Sequence, residues 1–310
     1  MRRSTGGAER VGWRSAIAGA SPVLLLLACA GAPSEPAPAT APAIVLPSLD
    51  QIAVDPGSIP DIGDSTGLPM ELDVYRWSDA ELSLVAQALN TLTGDCAERF
   101  GVAVPDSPDS GPREPEDMSR RYGLTSAAEA GATGYRFQAT PGPTPARAPL
   151  DEDATAVLYG GKAQVRGKAV PPRGCAGQAT TEISGADHAG PAEAVQDINS
   201  ASWSLSRRHP LVTAAFARWS ACLRPTGTTY GDPVEAMNDD RFTGQPTADE
   251  IEVAKADVAC KVVAGTTGAW HTVEMAVQRA MIEANRPVLE EAQRAKARQL
   301  AKARQVVGRE

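Results

Sequence analysis

Apolar residues recur every three or four positions in several stretches of the chain, and each stretch predicts an amphipathic helix. The first opens at Ser78, which has capping-box spacing to Glu81; Trp77 and Leu82 flank the cap as a hydrophobic staple. Leu82, Val85, Leu89, Leu92 and Cys96 share one stripe, and Gly101 ends the helix. Between Ala192 and Leu205, Val195, Ile198, Ser202 and Leu205 fall on one face. Pro210 suits a first helical position, followed by a stripe of Val212, Phe216, Trp219 and Leu223 with Cys222 beside it. Thr247 and Glu250 repeat the capping-box spacing; Ile251, Ala254, Val258 and Val262 make the next stripe, with Cys260 offset and Gly265 as the break. From Trp270 to Val307 strong helix formers dominate, with Val273, Val277, Ala280, Ala284 and Val288 as the stripe and Pro287 as a kink. Beyond Glu291 this helix turns basic through Arg294, Lys296, Arg298, Lys302 and Arg304. So polar a helix is expected to project, fray or pack on something outside the chain.

The intervening stretches are weaker. Residues 105–116 and 140–149 are Pro-rich inserts, unable to bury much apolar surface. Arg120 to Tyr135 is short-helical at best, and Ala156-Val157-Leu158-Tyr159 fits a strand or a helical turn. The expected fold is mainly α: a compact, disulfide-stapled helical domain with Pro-rich inserts and a long C-terminal helix. Its expected bounds are a leader at 1–28, an Ala/Pro-rich tether and loosely ordered lead-in at 29–67, the helical domain at 68–268 and the terminal helix at 269–310.

The leader changes where the domain is placed. Arg2, Arg3, Arg10 and Arg14 precede an uncharged apolar run from Ala16 to Ala28, shorter than the roughly 20 residues a membrane span needs. It ends in Leu26-Leu27-Ala28-Cys29, which resembles the lipobox of bacterial lipoproteins and implies that Cys29 carries a diacylglycerol. Leu27 is bulkier than the small residue usual at its position. The formal charge is −8; the first 28 residues hold four Arg and one Glu, so the remainder carries −11. That acidity argues against nucleic acid as a partner.

Besides Cys29, four cysteines remain: Cys96, Cys175, Cys222 and Cys260. An even number in an exported chain reads as two disulfides. They form no Cys-x-x-Cys pair, and only His188, His209 and His271 could assist them, so zinc is not the reading. Cys96 and Cys222 are each followed by Gly at five positions, Gly101 and Gly227, and by an apolar residue at eight, Val104 and Tyr230. Taken as an internal duplication, this echo favours Cys96–Cys175 and Cys222–Cys260 among the three possible pairings.

A set of short motifs carries a wider resemblance: Arg121-Tyr122-Gly123-Leu124, Gly134-Tyr135, Leu158-Tyr159-Gly160, Gly174-Cys175, Trp219 with Cys222, Gly227 and Tyr230, and Ala256 to Lys261 followed by Trp270. Their order resembles uncharacterised lipoproteins and secreted proteins of actinobacteria, over roughly Tyr75 to Leu289. The resemblance implies an envelope address and no activity.

No catalytic, cofactor or metal constellation is assigned. His271 and Glu274 lie one turn apart without a third ligand and read as a solvated face. Asp257 sits beside the stripe of its helix, so it needs a buried partner, and Arg121 is the expected one. The expected function is a non-catalytic interaction or ligand-binding module, lipid-anchored on the outer face of the cell membrane, whose C-terminal helix meets an envelope protein. The alternatives are a cell-wall hydrolase or transglycosylase using Glu81 or Glu274, and a small-molecule sensor beside a transporter or kinase.

Overall fold

Ser78 caps its helix as the spacing predicts: its hydroxyl accepts from the Glu81 N–H, and Glu81 accepts from the Ser78 N–H at 2.8 Å. A computed structural model describes residues 43–104, 118–136, 149–185 and 190–308, all within one unit spanning 39–310. The leader, Cys29, the tether to residue 42, both Pro-rich inserts up to Ala148 and His188 lie outside the described residues. Among the described residues there are ten α-helices and one two-stranded hairpin. They are α1 (Asp79–Glu98), α2 (Ala127–Thr133), α3 (Glu152–Tyr159), α4 (Gly174–Ser184), α5 (Gly190–Ser206), α6 (Pro210–Leu223), α7 (Pro233–Met237), α8 (Ala248–Ala264), α9 (Thr266–Ala284) and α10 (Arg286–Val307). Strands β1 (Gln164–Val165) and β2 (Lys168–Ala169) pair antiparallel between α3 and α4.

Helix α9 is the centre of the fold, lying against α5, α6 and α8. Its Trp270 is fully buried among Phe216, Tyr122, Leu72, Ile198 and Ile52. A second cluster gathers Trp219 and Leu223 of α6 with Val258 of α8, Leu124 and Tyr135. Helices α1, α4 and α10 form the other side, where Ala88, Ile183, Ala303 and Val306 meet. The disulfides are Cys96–Cys175, joining α1 to the first turn of α4, and Cys222–Cys260, joining the end of α6 to α8.

Three expectations about local structure are corrected. The described part of the expected lead-in, residues 43–67, is not loose but forms, together with residues 68–75, a strap along α9 and its neighbours. Ile52 is in the core, His209 Nε2 meets the Ile52 carbonyl at 3.2 Å, and Val45 exchanges two hydrogen bonds with the Asn285 side chain. Backbone polar groups of a Gly/Pro-punctuated segment can be satisfied by side chains of the helices beneath, and periodicity does not report that. The terminal segment is two helices rather than one kinked helix. Asn285 breaks it, and Pro287 falls in the first turn of α10, where a missing N–H does no harm. Nor does α10 project. It buries Leu289, Ala292, Leu300, Ala303 and Val306 against α1, α4 and α5, while Lys296 lies over the Trp77 ring and pairs with Glu81 at 2.7 Å. Alanines on both sides allow close approach, and lysine stems cover apolar surface while their charges find partners.

The internal echo is confined to its first half. Gly101 and Gly227 both take left-handed backbone after a cysteine-bearing helix. But Cys175 opens a helix whereas Cys260 sits near the end of one, and α2, from the first half, packs on α8 of the second.

Candidate functional site

The polar interior is organised by one segment, Ser119–Thr125, which runs between α9 on one side and α8 on the other. Gly123 makes the passage possible. Its φ of +86° suits glycine, and a Cβ there would come within 2.8 Å of Pro233 Cβ. On the α9 side Arg121 reaches Glu274, Nε to Oε2 at 3.0 Å, with a second contact from its Nη2. The Tyr122 hydroxyl donates to Glu274 at 2.9 Å and the Ser202 hydroxyl at 3.1 Å, so this fully buried carboxylate is saturated. Burial pulls the Arg121 pKa down, but the hydrogen bond and charge of Glu274 outweigh it and hold it above its ordinary value. Burial, then the Glu274 charge, pushes the Tyr122 phenol well up.

On the α8 side, Lys261 donates to the Leu124 carbonyl at 2.9 Å and to Asp257 Oδ1 at 2.5 Å. The Trp219 indole N–H donates to the same Oδ1 at 2.7 Å. Asp257 and Lys261 are 0% and 1% exposed. Burial draws the Lys261 amine below its ordinary pKa despite the opposing pull of Asp257. Asp257 Oδ2 and the Tyr135 hydroxyl each lack a hydrogen-bond partner; after burial, the Asp257 charge is the main influence pushing that phenol up. Two turns earlier, buried Glu250 accepts from the Tyr135 N–H at 3.1 Å and pairs with Arg136. It therefore does not return to Thr247, and only half of the second capping box forms: the Thr247 hydroxyl accepts from the Glu250 N–H.

The expected Arg121–Asp257 ion pair is thus corrected. Both residues are buried and paired, but with Glu274 and Lys261. Arg121 and Tyr122 point to opposite neighbours from Leu124, and α9 rather than α8 lies on the Arg121 side. The face of α8 is corrected in part: Ala254 and Val258 of the expected stripe are buried, but Val262 is not. Glu250, Val253, Ala254, Asp257, Val258, Lys261 and Ala264 point inward, whereas Val262 and Val263 are 42% and 81% exposed. An apolar stripe misses this face because three charged residues occupy it. The spacing of Glu250, Asp257 and Lys261, seven and then four, was the available signal. Glu274 is likewise no solvated face residue, and His271 turns away from it to the Pro69 carbonyl at 3.0 Å. Among the described residues, no group of three His, Cys, Asp or Glu side chains is placed to hold a metal ion.

On the surface, a shallow, mostly apolar depression of about 520 Å³ lies along α4, walled by Pro171, Pro172, Arg173, Gly177, Gln178 and Thr181. Tyr159, 64% exposed, ends α3 where its backbone abuts Gly174. No helix among the described residues is long and apolar enough to cross a membrane. Compared with known proteins, the chain matches no family model, no curated protein and no solved structure.

Proposed function

We propose that this protein is a lipid-anchored module of the cell envelope that acts by binding a partner or ligand. The observation that carries the reading is the pair of disulfides, Cys96–Cys175 and Cys222–Cys260, downstream of an apolar run ending in Leu26-Leu27-Ala28-Cys29. Bonds of that kind belong to oxidising compartments, and the apolar run supplies the route there. A second observation weighs against the hydrolase alternative. Glu274 is enclosed and saturated by Arg121, Tyr122 and Ser202, and Glu81 serves a helix cap and Lys296. A general acid must reach the bond it protonates, and neither carboxylate is arranged for that. The depression along α4, with Tyr159 beside it, is the surface assigned to binding.

The test has two arms. Metabolic labelling with a fatty-acid probe should mark the wild-type chain and leave Cys29→Ser unmarked and released from the membrane fraction. A photocrosslinking residue at Gln178 should capture one reproducible partner or cell-wall fragment that the same residue at Glu252 on α8 does not. An unlabelled wild-type chain refutes the anchor; capture that is equal at both positions refutes the assigned surface.

A further inference from the structure

We propose that Asp257 and Lys261 join through an amide bond across one turn of α8, an internal lactam formed after folding. The two residues are four apart on one helical face, where side chains meet. Lys261 Nζ already touches the carboxyl group, 2.5 Å from Oδ1, and both side chains are closed off from solvent. Held together this way, two groups react as if at an effective concentration of about 10⁵ M or more. The enclosure also keeps bulk water, which would reverse the reaction, away from the bond.

The neighbours fit the roles the reaction needs. Burial in an apolar surround favours the neutral amine, the nucleophilic form, and the amine pKa is drawn down accordingly. The Leu124 carbonyl accepts from Nζ and orients it. The Trp219 indole N–H points at Oδ1 from 2.7 Å, where negative charge develops as nitrogen adds to the carboxyl carbon. That leaves Oδ2, which has no hydrogen-bond partner, as the departing oxygen, and the Tyr135 phenol, whose own hydroxyl is unpartnered and feels the Asp257 charge, as the donor assigned to it. In the step, the ammonium first passes a proton to the carboxylate, where it comes to rest on Oδ2. The nitrogen lone pair then forms the N–Cγ bond. The Cγ–Oδ2 bond breaks as Tyr135 donates a proton to the leaving oxygen, and Tyr135 regains one from nitrogen. In sum the amine group loses two hydrogens and the carboxyl group one oxygen, and they leave as water. No oxidant, metal or cofactor enters the balance.

Mass spectrometry of the purified full chain, reduced, alkylated and digested with trypsin, tests this. The lactam blocks cleavage after Lys261. The expected product is therefore one peptide from Ala256 to Arg279, lighter than its sequence by the mass of one water. Lys261→Gln should remove the mass loss. Asp257→Asn should release ammonia in place of water and give a peptide identical to the linked wild-type one, which an ion pair cannot mimic. Tyr135→Phe should slow linkage by about 10²-fold after refolding, the usual contribution of a general acid. Cleavage after Lys261 with both side chains at full mass in the wild-type chain overturns the proposal. Wild-type linkage rates in Tyr135→Phe would overturn the role given to that phenol.

Discussion

Replacing Glu274 by Ala should be among the most damaging single changes in this protein. The carboxylate holds Arg121, Tyr122 and Ser202 at once, and the Arg121 side chain is only 9% exposed. Removing it leaves a guanidinium in the interior with the Asn199 carbonyl, at 3.1 Å, as its remaining hydrogen-bond acceptor. Breaking a buried pair from one side costs about 3–5 kcal/mol, because the orphaned charge has lost both water and partner. Domains of ordinary stability have about 5–15 kcal/mol in total, so Glu274→Ala should sit close to unfolding at 25 °C. Urea titration followed by circular dichroism should show the midpoint falling by more than about 1 M. The double variant Arg121→Met with Glu274→Leu removes both charges together and should recover most of the loss. A loss below about 1 kcal/mol for Glu274→Ala, the scale of an exposed pair, would refute the reasoning, since Arg121 would then be reaching water.

Four further outcomes are expected. Gly268→Ala would ordinarily strengthen a helix by about 1 kcal/mol, but here the new Cβ would fall 2.0 Å from the Pro60 carbonyl oxygen, so the variant should be less stable and open to proteolysis near Pro60. Leu300→Ala should cost about 2–5 kcal/mol in the same urea titration because α10 is packed; a projecting helix would tolerate it. Replacing both Cys222 and Cys260 by Ser should cost about 4 kcal/mol from loop-closure entropy, read as a lowered melting temperature that reducing agent lowers no further by way of that bond. Tyr122, Tyr135 and Tyr230 all have raised phenol pKa values, Tyr230 being pushed up to about 12 by burial and then its hydrogen bond to Asp239. A raised folded pKa means the contribution is complete below the unfolded value of about 10 and is lost as pH climbs through the folded one. Stability should therefore fall above pH about 10, and phenolate absorbance should lag behind that of the urea-unfolded chain. Coincident titration curves would contradict it.

The helices with clean periodicity were legible from the chain, and their caps with them. Ser78 with Glu81, Pro210 at its first position and Gly265 as a stop are local chemistry, decided within one turn by neighbouring residues. The stripe Val212, Phe216, Trp219, Leu223 is buried as read, because every large residue on that face is apolar. On α8 the same method was right for Ala254 and Val258 but missed the rest of the inner face. Its inner face carries Glu250, matched by the distant Arg136, and Asp257 and Lys261, which pair with each other across one turn while Lys261 also reaches the Leu124 carbonyl. A pattern of hydrophobicity counts such residues as outward, and only their spacing of seven and then four hinted otherwise. Among the candidate-site residues, Asp257 and Arg121 were rightly placed in the interior but assigned to each other, since sequence shows that a buried charge needs a partner without showing which helix stands opposite.

The chain by itself determined a mainly helical fold, the ends of its principal helices and, besides Cys29, four cysteines that two disulfides satisfy. These rest on capping, backbone preference and thiol chemistry, all short-range. Tertiary structure decided the rest: that residues 43–75 are a strap, that α10 is packed, and that Ser119–Thr125 is the spine of two separate buried polar networks. Each of these depends on what faces a residue across the interior. Desolvation makes such a partner obligatory, but only the arrangement of helices in space selects it.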